Sequence, residues 1–324
     1  MSIVVTGAAG FIGSDFIWKL NQEGESDILA VDFFGGKKES KNLAGKHLLD
    51  YLEADTFIEK INKGLFNKNT KAIFHIGACS STTETDEAYL SKNNYEYTKS
   101  LAIWALDNKV PFYYASSAAT YGDGSNGYSD ADSSILTLKP LNLYGNSKQL
   151  FDLWLLNHKL TDKVVGFKYF NVFGPNEYHK GDMRSVVLKG FEQIKKEGKI
   201  RLFKSYRPDY MNGEQKRDFV YIKDVVDLMY AFYLNGSVKG IYNVGTGKAR
   251  SWNDLASAIF SALNLPVNIE YIDMPENLKE KYQYFTEADL NKLNHCGIAF
   301  NPLPLEKSVA DYVKNYLDKG SKHL

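Results

Sequence analysis

Tyr144 and Lys148 stand four positions apart at the start of an amphipathic segment. If that segment is helical, side chains at this spacing share one face, so the lysine ammonium would lie beside the tyrosine hydroxyl. A tyrosine with its ordinary pKa of about 10 is a poor base at neutral pH, and a neighbouring positive charge stabilises its phenolate. The pair therefore predicts an acid/base couple that can move a proton to or from an alcohol.

The chain before this pair distinguishes it from Tyr95 and Lys99, which have the same spacing. The apolar run from Pro111 to Ala115 is typical of a buried strand, and Ser116 and Ser117 follow it directly. Hydroxyl groups at the carboxyl end of a parallel strand face the crevice where ligands bind, and a serine there can hydrogen-bond a reacting alcohol or carbonyl. Ser117 is therefore a candidate catalytic residue. The alternative is a serine-rich strand end without a catalytic role.

The run from Thr6 to Gly13, TGAAGFIG, follows a strand pattern and opens a helical one. Gly7 and Gly10 would let the backbone approach a pyrophosphate, and Gly13 would let the helix pack closely on the strand. The helix N-terminus adds free N–H donors and the positive end of the helix dipole. This loop predicts a dinucleotide-phosphate site, with a glycine-bearing turn of no binding role as the alternative.

Asp32 ends the second strand pattern, where a carboxylate can accept hydrogen bonds from the ribose hydroxyls of a dinucleotide. That position alone favours NAD. Lys37, Lys38 and Lys41 follow at once and could neutralise the 2′-phosphate of NADP. The same lysines could equally form a solvated surface, so both cofactors are open at this point.

The elements that would position these residues alternate along the first two-thirds of the chain. Strand patterns fall at Ile3 to Val5, Ile28 to Val31, Ala72 to His75, Pro111 to Ala115 and Val164 to Tyr169, and helical patterns at Phe11 to Gln22, Tyr89 to Asn108 and Tyr144 to Lys159. Repeated βαβ units predict an α/β fold with a doubly wound parallel (Rossmann) sheet and a smaller α/β substrate-binding lobe. We expect residues 1–170 and 218–246 to form the dinucleotide-binding domain, and 171–217 and 247–324 the lobe.

Charge and composition exclude several classes of protein. Lys plus Arg equals Asp plus Glu at 39 each, so net charge attracts neither nucleic acid nor an anionic membrane. Cys79 and Cys296 have neither metal-knuckle nor disulfide-framework spacing, and no run of about 18 apolar residues occurs. We expect a soluble cytoplasmic protein without a metal site and without nucleic-acid or membrane partners.

The motifs together resemble the extended short-chain dehydrogenase/reductase family of nucleotide-sugar enzymes, the NAD-dependent epimerase/dehydratase family. The resemblance rests on the glycine loop, Asp32, Ser117 and the Tyr144/Lys148 pair, with further runs at Asn171 to Pro175 (NVFGP), Arg217 to Tyr221 (RDFVY) and Tyr242 to Gly247 (YNVGTG). A second set resembles the family's ADP-heptose 6-epimerases, with runs at His75 to Glu84 (HIGACSSTTE), Tyr114 to Gly122, His179 to Gly181 and Tyr282 to Leu290.

The resemblance implies an enzyme that inverts C6″ of an ADP-activated heptose by a closed redox cycle. Bound NADP, or NAD, would take a hydride from C6″ and return it to the opposite face of the transient ketone. Tyr144 would be one acid/base and Lys180 the other. Ser117 would hydrogen-bond the reacting oxygen, and Lys148 would tune Tyr144 and hold the nicotinamide ribose.

The family's remaining contacts are carried over residue by residue. The cofactor set comprises Gly7, Gly10, Phe11, Ile12, Gly13, Asp32, Phe33, Lys38, Ile76, Gly77, Ala78, Cys79, Ser80, Asn93, Lys148, Val172 and Lys180. The substrate set comprises Asn171, Asp182, Lys189, Phe203, Lys204, Ser205, Tyr206, Arg217 and Tyr282. The guanidinium of Arg217 could bind a pyrophosphate bidentately, with a salt bridge to Asp218 as the alternative.

The chain departs from the family's pattern at several positions. Phe33 follows Asp32 where the family usually has asparagine, and the cofactor lysine falls near Glu39. Asp182 and Lys189 replace a substrate serine and a histidine. Residues 208–215 resemble an insertion just before Arg217, which could reshape the nucleotide end of the site.

Three other functions are open to this sequence. The first is another nucleotide-sugar epimerase, such as a UDP- or GDP-sugar 4-epimerase. The second is a 4,6-dehydratase, although Ala118 and Ala119 stand where those enzymes resemble one another in an Asp-Glu pair. The third is a non-enzymatic NADP-binding regulator, a class that typically lacks the Tyr/Lys pair. The family resemblance also implies a homo-oligomer, with a pentamer as one form, and a place in bacterial lipopolysaccharide core synthesis.

Overall fold

The computed structural model describes residues 1–33, 41–67, 69–279 and 282–324. Its strands are β1 (Ser2–Thr6), β2 (Ile28–Asp32), β3 (Asp50–Glu53), β4 (Thr70–His75), β5 (Phe112–Ser117), β6 (Val165–Tyr169), β7 (Asn171–Phe173), β8 (Ile200–Phe203), β9 (Lys216–Tyr221), β10 (Gly240–Val244), β11 (Ala249–Ser251) and β12 (Ile269–Ile272). Its helices are α1 (Phe11–Gln22), α2 (Ala54–Asn62), α3 (Glu87–Leu90), α4 (Tyr97–Asp107), α5 (Asp132–Ile135), α6 (Leu143–Asn157), α7 (Val186–Glu197), α8 (Ile222–Asn235), α9 (Trp252–Ala262), α10 (Glu276–Lys279), α11 (Asn291–Asn294) and α12 (Leu305–Asn315).

The main sheet of the described chain has seven strands in the order β10-β6-β5-β4-β1-β2-β3, and every pairing in it is parallel. The chain order reverses between β1 and β4, which are neighbours in the centre of the sheet. In open parallel sheets, ligands bind in the crevice at the carboxyl ends of the strands on either side of such a reversal. This sheet confirms the predicted doubly wound α/β fold.

Each face of the main sheet is covered by an apolar core, as successive residues of β1 show. Ile3 and Val5 are fully buried in one apolar core, which also contains Phe16 of α1 and Val226 of α8. Val4 points to the other face and is buried in a second core with Leu101 of α4. Because side chains alternate across a strand, an uninterrupted apolar run fills two cores at once.

Two of the differences between predicted and observed element boundaries affect the candidate site. The strand pattern assigned to Pro111 to Ala115 extends to Ser117, so both serines belong to β5 itself. The helix assigned to Tyr89 to Asn108 is interrupted by a π-helical turn at Ser91–Glu96, between α3 and α4. The turn brings Asn94 into the interior, where its side chain hydrogen-bonds the backbone of Cys79.

Two small sheets complete the fold: β11-β9-β7 and the parallel pair β12-β8. The first of these sheets contains Asn171 in β7 and Arg217 in β9, and the second contains Phe203 at the end of β8. Helix α9 packs against α7 and α12. Within the ranges described, no helix has the length and apolar character needed to cross a membrane.

Candidate active site

The glycine loop joins β1 to α1 at the point where the sheet order reverses. Gly7 has φ of +66°, and a Cβ there would lie 2.6 Å from the Cα of Gly77, which follows β4. A Cβ at Gly13 would lie 2.1 Å from the carbonyl oxygen of Gly7. Both positions therefore exclude a side chain. The N-cap of α1 is Gly10, so the first N–H groups of the helix are not covered by a capping side chain, which suits a bound anion.

Asp32, the last residue of β2, contacts the glycine loop through a hydrogen bond. Its Oδ2 accepts a hydrogen bond of 2.8 Å from the backbone N–H of Ala9, and its Oδ1 accepts one from the N–H of Phe33. The carboxylate thus lies where β2 ends, against the glycine loop, as the sequence predicted. Lys38, assigned to the cofactor, lies outside the described residues.

Ser117, Tyr144 and Lys148 meet where β5 faces the first turns of α6. The Nζ of Lys148 donates to the carbonyl oxygen of Ala115 at 2.9 Å. Burial lowers the pKa of Lys148 to about 8, although the nearby Asp152 carboxylate acts in the opposite direction. Burial also raises the pKa of Tyr144, and a hydrogen bond with Ser117 partly offsets that increase. The tyrosine is therefore a phenol at neutral pH, and its tuning by Lys148 stays a prediction.

Lys180 reaches the same cavity from a different part of the chain, the short turns after β7. Its ammonium lies 5.2 Å from the centre of the Phe11 ring at the start of α1. Burial lowers the pKa of Lys180, and the charge of Glu177 opposes that change. A lysine with a lowered pKa gives up its proton more readily at neutral pH than a free lysine.

One cavity of about 610 Å³ connects these groups. Of the predicted residues it is lined by Gly7, Gly10, Phe11, Ile12, Gly13, Asp32, Phe33, Ile76, Gly77, Ala78, Cys79, Ser80, Asn93, Ser117, Tyr144, Lys148, Asn171, Val172 and Lys180. Tyr144 and Lys180 thus border a single space, which the glycine loop also lines. A phenol and an amine of lowered pKa, two groups that can exchange protons, therefore border one cleft of about 610 Å³.

Arg217 and Tyr282 stand together beside the cavity rather than in its lining. The Arg217 guanidinium lies 5.2 Å from the Tyr282 ring and donates to the carbonyl oxygens of Lys216 and Gln283. Burial lowers its pKa. The carboxylate of Asp218 instead accepts hydrogen bonds from the backbone N–H groups of Thr246, Gly247 and Ala288. The structure shows Asp218 engaged by these groups instead of by Arg217.

Apart from Asn171, the other predicted substrate residues also lie outside the lining of this cavity. The Nζ of Lys204 and the hydroxyl of Tyr206 both donate to Asp273, at 3.2 and 2.9 Å. The Phe203 ring packs edge-on against Tyr282. Ser205 donates to the carbonyl oxygen of Arg207. Lys189 bonds the backbone carbonyl oxygen of Asp182, so these two form a local contact on the turn that follows Lys180.

Trp252 is a lining residue that the sequence reasoning missed. Its ring lies 5.8 Å from the Arg217 guanidinium, and its indole N–H donates to the Tyr282 hydroxyl at 2.9 Å. The sequence does mark Trp252 as the first residue of a helix, because Ser251 and Asp254 form a capping box. That signal fixes the helix boundary and carries no information about what the indole faces.

Comparison with known proteins agrees with this geometry. The NAD dependent epimerase/dehydratase family matches residues 3–245. The chain is 50% identical over 321 residues to the ADP-L-glycero-D-manno-heptose-6-epimerase of Nitratidesulfovibrio vulgaris, covering 99% of both chains. It is 46% identical to the enzyme of that name from Fusobacterium nucleatum, over 99% of this chain and 100% of that one.

Solved structures show the same fold. The ADP-L-glycero-D-manno-heptose-6-epimerase of Helicobacter pylori superposes with a TM-score of 0.78 at 28% identity, covering 97% of this chain and 95% of that one. A UDP-N-acetylglucosamine 4-epimerase from Methanobrevibacter ruminantium has a TM-score of 0.82 at 23% identity, over 98% of each chain, and supports the fold alone. The family match and the full-length similarity confirm the resemblance drawn from the motifs, and the chain belongs to the NAD dependent epimerase/dehydratase family.

Proposed function

We propose that this protein interconverts ADP-D-glycero-D-manno-heptose and ADP-L-glycero-D-manno-heptose by inverting C6″. The observation that carries the proposal is the single cavity bordered by both Tyr144 and Lys180, because returning a proton on the opposite face of the reacting carbon is easiest with a second acid/base. Relatives that are 42–50% identical over nearly the whole chain and bear the 6-epimerase name support this substrate.

The described residues fit a nicotinamide cofactor. The close contact of Gly7 with Gly77 leaves a side-chain-free surface beside the α1 N-terminus, which would hold the pyrophosphate. Asp32 would accept hydrogen bonds from the adenosine ribose, and Lys148 would donate to the nicotinamide ribose. The bound cofactor would supply reversible hydride transfer at C6″. NADP is the proposed form, with cationic residues after Asp32 as the partners of its 2′-phosphate.

The chain's own residues would handle the protons. Tyr144, held by its hydrogen bond to Ser117, would remove the proton of the C6″ hydroxyl when that carbon is oxidised. Ser117 would donate to the same oxygen as it becomes a carbonyl. After the ketone turns its other face, Lys180 would supply or remove the proton on that side. Burial lowers the pKa of Lys180, which suits this exchange because the neutral amine forms more readily than in a free lysine.

The nucleotide and sugar would extend from Asn171 toward Arg217 and Tyr282. Arg217 would meet the pyrophosphate of the substrate, since a guanidinium packed near the Trp252 and Tyr282 rings has its donors in fixed directions. Phe203, Lys204, Ser205 and Tyr206 would border the adenosine. Asp182 and Lys189, joined to one another beyond Lys180, would meet sugar hydroxyls.

Three further expectations are part of this proposal. Residues 1–170 and 218–246 would form the cofactor-binding domain, with the remainder as the substrate lobe. The protein would act as a cytoplasmic homo-oligomer, with a pentamer as one form. Its product would serve bacterial lipopolysaccharide core synthesis.

Proton NMR of the C6″ centre tests the reaction directly. Purified protein incubated with ADP-D-glycero-D-manno-heptose, without added cofactor, should form the L-glycero epimer. Tyr144→Phe should lower the rate by at least about 100-fold, because the ring stays and only the proton-transferring hydroxyl is lost. Tyr95→Phe is the matched control, since Tyr95 also precedes a lysine by four positions, with that ammonium 5.4 Å from its ring.

Two results would contradict the proposal. If no epimer formed even with added NADP or NAD, the heptose assignment would be abandoned and UDP-, GDP- and dTDP-sugars screened. If Tyr144→Phe turned over as fast as the parent protein, the acid/base assignment would be wrong.

A further inference from the structure

Strand β5 and helix α6 are joined by consecutive contacts just behind the catalytic groups. The Nζ of Lys148 donates to the carbonyl oxygen of Ala115 at 2.9 Å. The hydroxyl of the next strand residue, Ser116, donates to Oδ2 of Asp152 at 2.8 Å. Asp152 lies one helical turn beyond Lys148, so one strand end holds two successive turns of the helix. The catalytic serine and tyrosine form the next contact along the same pair of elements.

Asp152 is the centre of a polar group sealed from solvent. Its Oδ1 accepts from the Tyr114 hydroxyl at 2.6 Å, and its Oδ2 accepts from the Lys168 ammonium at 2.6 Å as well as from Ser116. The Asp152 and Lys168 side chains are both 0% exposed. Lys168 also donates to Thr120 at 2.8 Å. The carboxylate is therefore both hydrogen-bonded and charge-paired.

A buried ion pair of this kind is weak evidence for stability, because removing two charges from water costs about as much as their attraction returns. An apolar pair of similar volume could fill the same space. The position of the pair is more informative than its energy. Lys168 and Ser116 are register partners on β6 and β5, so the pair lies directly under the strand end that carries the catalytic serine.

The charge of Asp152 also acts on Lys148. Desolvation favours the neutral amine, and the Asp152 carboxylate opposes it, with the Cys79 thiol acting in the same direction. Burial lowers the pKa of His75 to about 3 and raises the pKa values of Tyr144 and Tyr114, so these neighbours are uncharged at neutral pH. Asp152 on the same helix and Cys79 after β4 act on the charge of Lys148. His75 on β4 and Tyr144, one turn earlier in α6, are its other titratable neighbours.

We propose that Asp152 is a positioning residue, whose buried carboxylate fixes the catalytic end of β5 against α6 and keeps the Lys148 ammonium charged in the cofactor cleft. Lys168 is its charge partner, and both side chains are closed from solvent. The assignment of Lys148 to the nicotinamide ribose rests on the proposed function. The charge effect of Asp152 on cofactor binding does not depend on which sugar is the substrate.

The test measures NADPH binding against pH by the fluorescence of the bound nucleotide, with NADH as the second probe, and epimerisation in parallel. Removing the Asp152 charge should let Lys148 lose its proton at lower pH. NADPH affinity should fall at alkaline pH, and this alkaline limb of the binding profile should therefore lie about one pH unit lower in Asp152→Asn than in the parent protein.

The double variant Asp152→Asn/Lys168→Met separates charge from folding. It removes both buried charges, so it should recover the thermal stability that Asp152→Asn loses by leaving Lys168 unpaired. Its binding limb should still lie at the lower pH. A double variant whose alkaline limb lies at the same pH as that of the parent would overturn the proposal. If Asp152 acted only through folding, recovering the stability would also recover the binding profile. Parent protein that binds NADPH but does not epimerise would refute the proposed function while leaving this comparison intact.

Discussion

Lys180 is the residue whose proposed role depends most on proton transfer rather than on charge. Lys180→Arg keeps a cation near the Phe11 ring, but a guanidinium does not lose its proton at any usable pH. We expect Lys180→Arg and Lys180→Met to lower epimerisation by a similar factor, at least about 100-fold. The measurement is the initial rate in both directions by NMR.

The matched control for Lys180 is Lys195→Met. The Lys195 ammonium also lies over a phenyl ring, 5.5 Å from the centre of Phe191, and it pairs with Asp318 on the surface. An exposed pair of this kind contributes about 1 kcal/mol or less, so this variant should fold and turn over normally. An active Lys180→Arg enzyme would mean that Lys180 supplies charge alone, and the second acid/base would have to be sought elsewhere.

The proposed catalytic residues differ in how much of their position the sequence reveals. Tyr144, Lys148 and Ser117 were predictable, because helical spacing and the carboxyl end of a parallel strand are local features with a fixed spatial meaning. Lys180 was found only by resemblance, since its approach to Phe11 joins turns and a helix about half the chain apart. The Asp152–Lys168 pair has no local pattern, because its members belong to different elements, α6 and β6, and meet only in the folded chain.

At the scale of the element, the strand-to-helix loop after β1 depends on Gly7 for two separate reasons. Its φ of +66° disfavours a side chain, and a Cβ would meet the backbone of Gly77 at 2.6 Å. Gly64, after α2, has nearly the same φ of +65°, but no described atom outside its chain neighbours lies within 4 Å of the position that a Cβ would take. A comparison of variants at these two glycines therefore separates the cost of backbone strain from the cost of the close approach to Gly77.

We expect both Gly7→Ala and Gly64→Ala to lose about 1 kcal/mol of unfolding free energy from the positive φ. Gly7→Ala should lose more, and it should also lose NADPH binding, because the loop must move away from Gly77. Urea denaturation and fluorescence titration with NADPH measure the two effects. Equal NADPH affinity in the two variants would show that the contact between Gly7 and Gly77 does not shape the phosphate site.

Element boundaries were harder to predict than element types. The five strand patterns predicted for the main sheet all lie in it, because fully buried parallel strands are uninterrupted apolar runs. The extension of β5 through Ser116 and Ser117 was missed, since serine has no strong strand preference and the pairing with β6 decides the boundary. The π-helical turn before α4 was missed because one residue's shift in hydrogen bonding leaves the apolar pattern almost unchanged.

At the scale of the whole molecule, the order of elements predicts the fold because right-handed crossovers leave few ways to arrange βαβ units. The second and third sheets were not predictable in the same way. Strands β7 and β11 are three residues each, and they pair with β9 across long chain separations. The position of Arg217 beside the cavity is therefore a property of the assembled molecule.

The stability of the folded chain should depend on pH through His75, which links β1 and β4 inside the sheet. Its Nδ1 hydrogen-bonds Thr6 at 2.7 Å and its Nε2 hydrogen-bonds Thr98 at 2.8 Å. Burial lowers its pKa to about 3, with the charge of Lys148 as the smaller cause. The unfolded chain has an ordinary histidine of pKa about 6.5, so between these two values it binds a proton that the folded chain does not.

The contribution of His75 to the free energy of unfolding therefore has its full value above about pH 6.5. It falls toward pH 3, by at most about 1.4 kcal/mol per pH unit. Asp130 and Asp224 change the free energy of unfolding with pH in the opposite direction to His75, because burial raises the pKa of each carboxyl to about 6. The difference between parent and His75→Gln in urea denaturation from pH 7 to pH 4 isolates the histidine. We expect that difference to shrink as pH falls, while His158→Gln, on the surface after α6, tracks the parent throughout. A parallel offset at every pH would mean that His75 is already charged in the folded protein or that its proton never matters to folding.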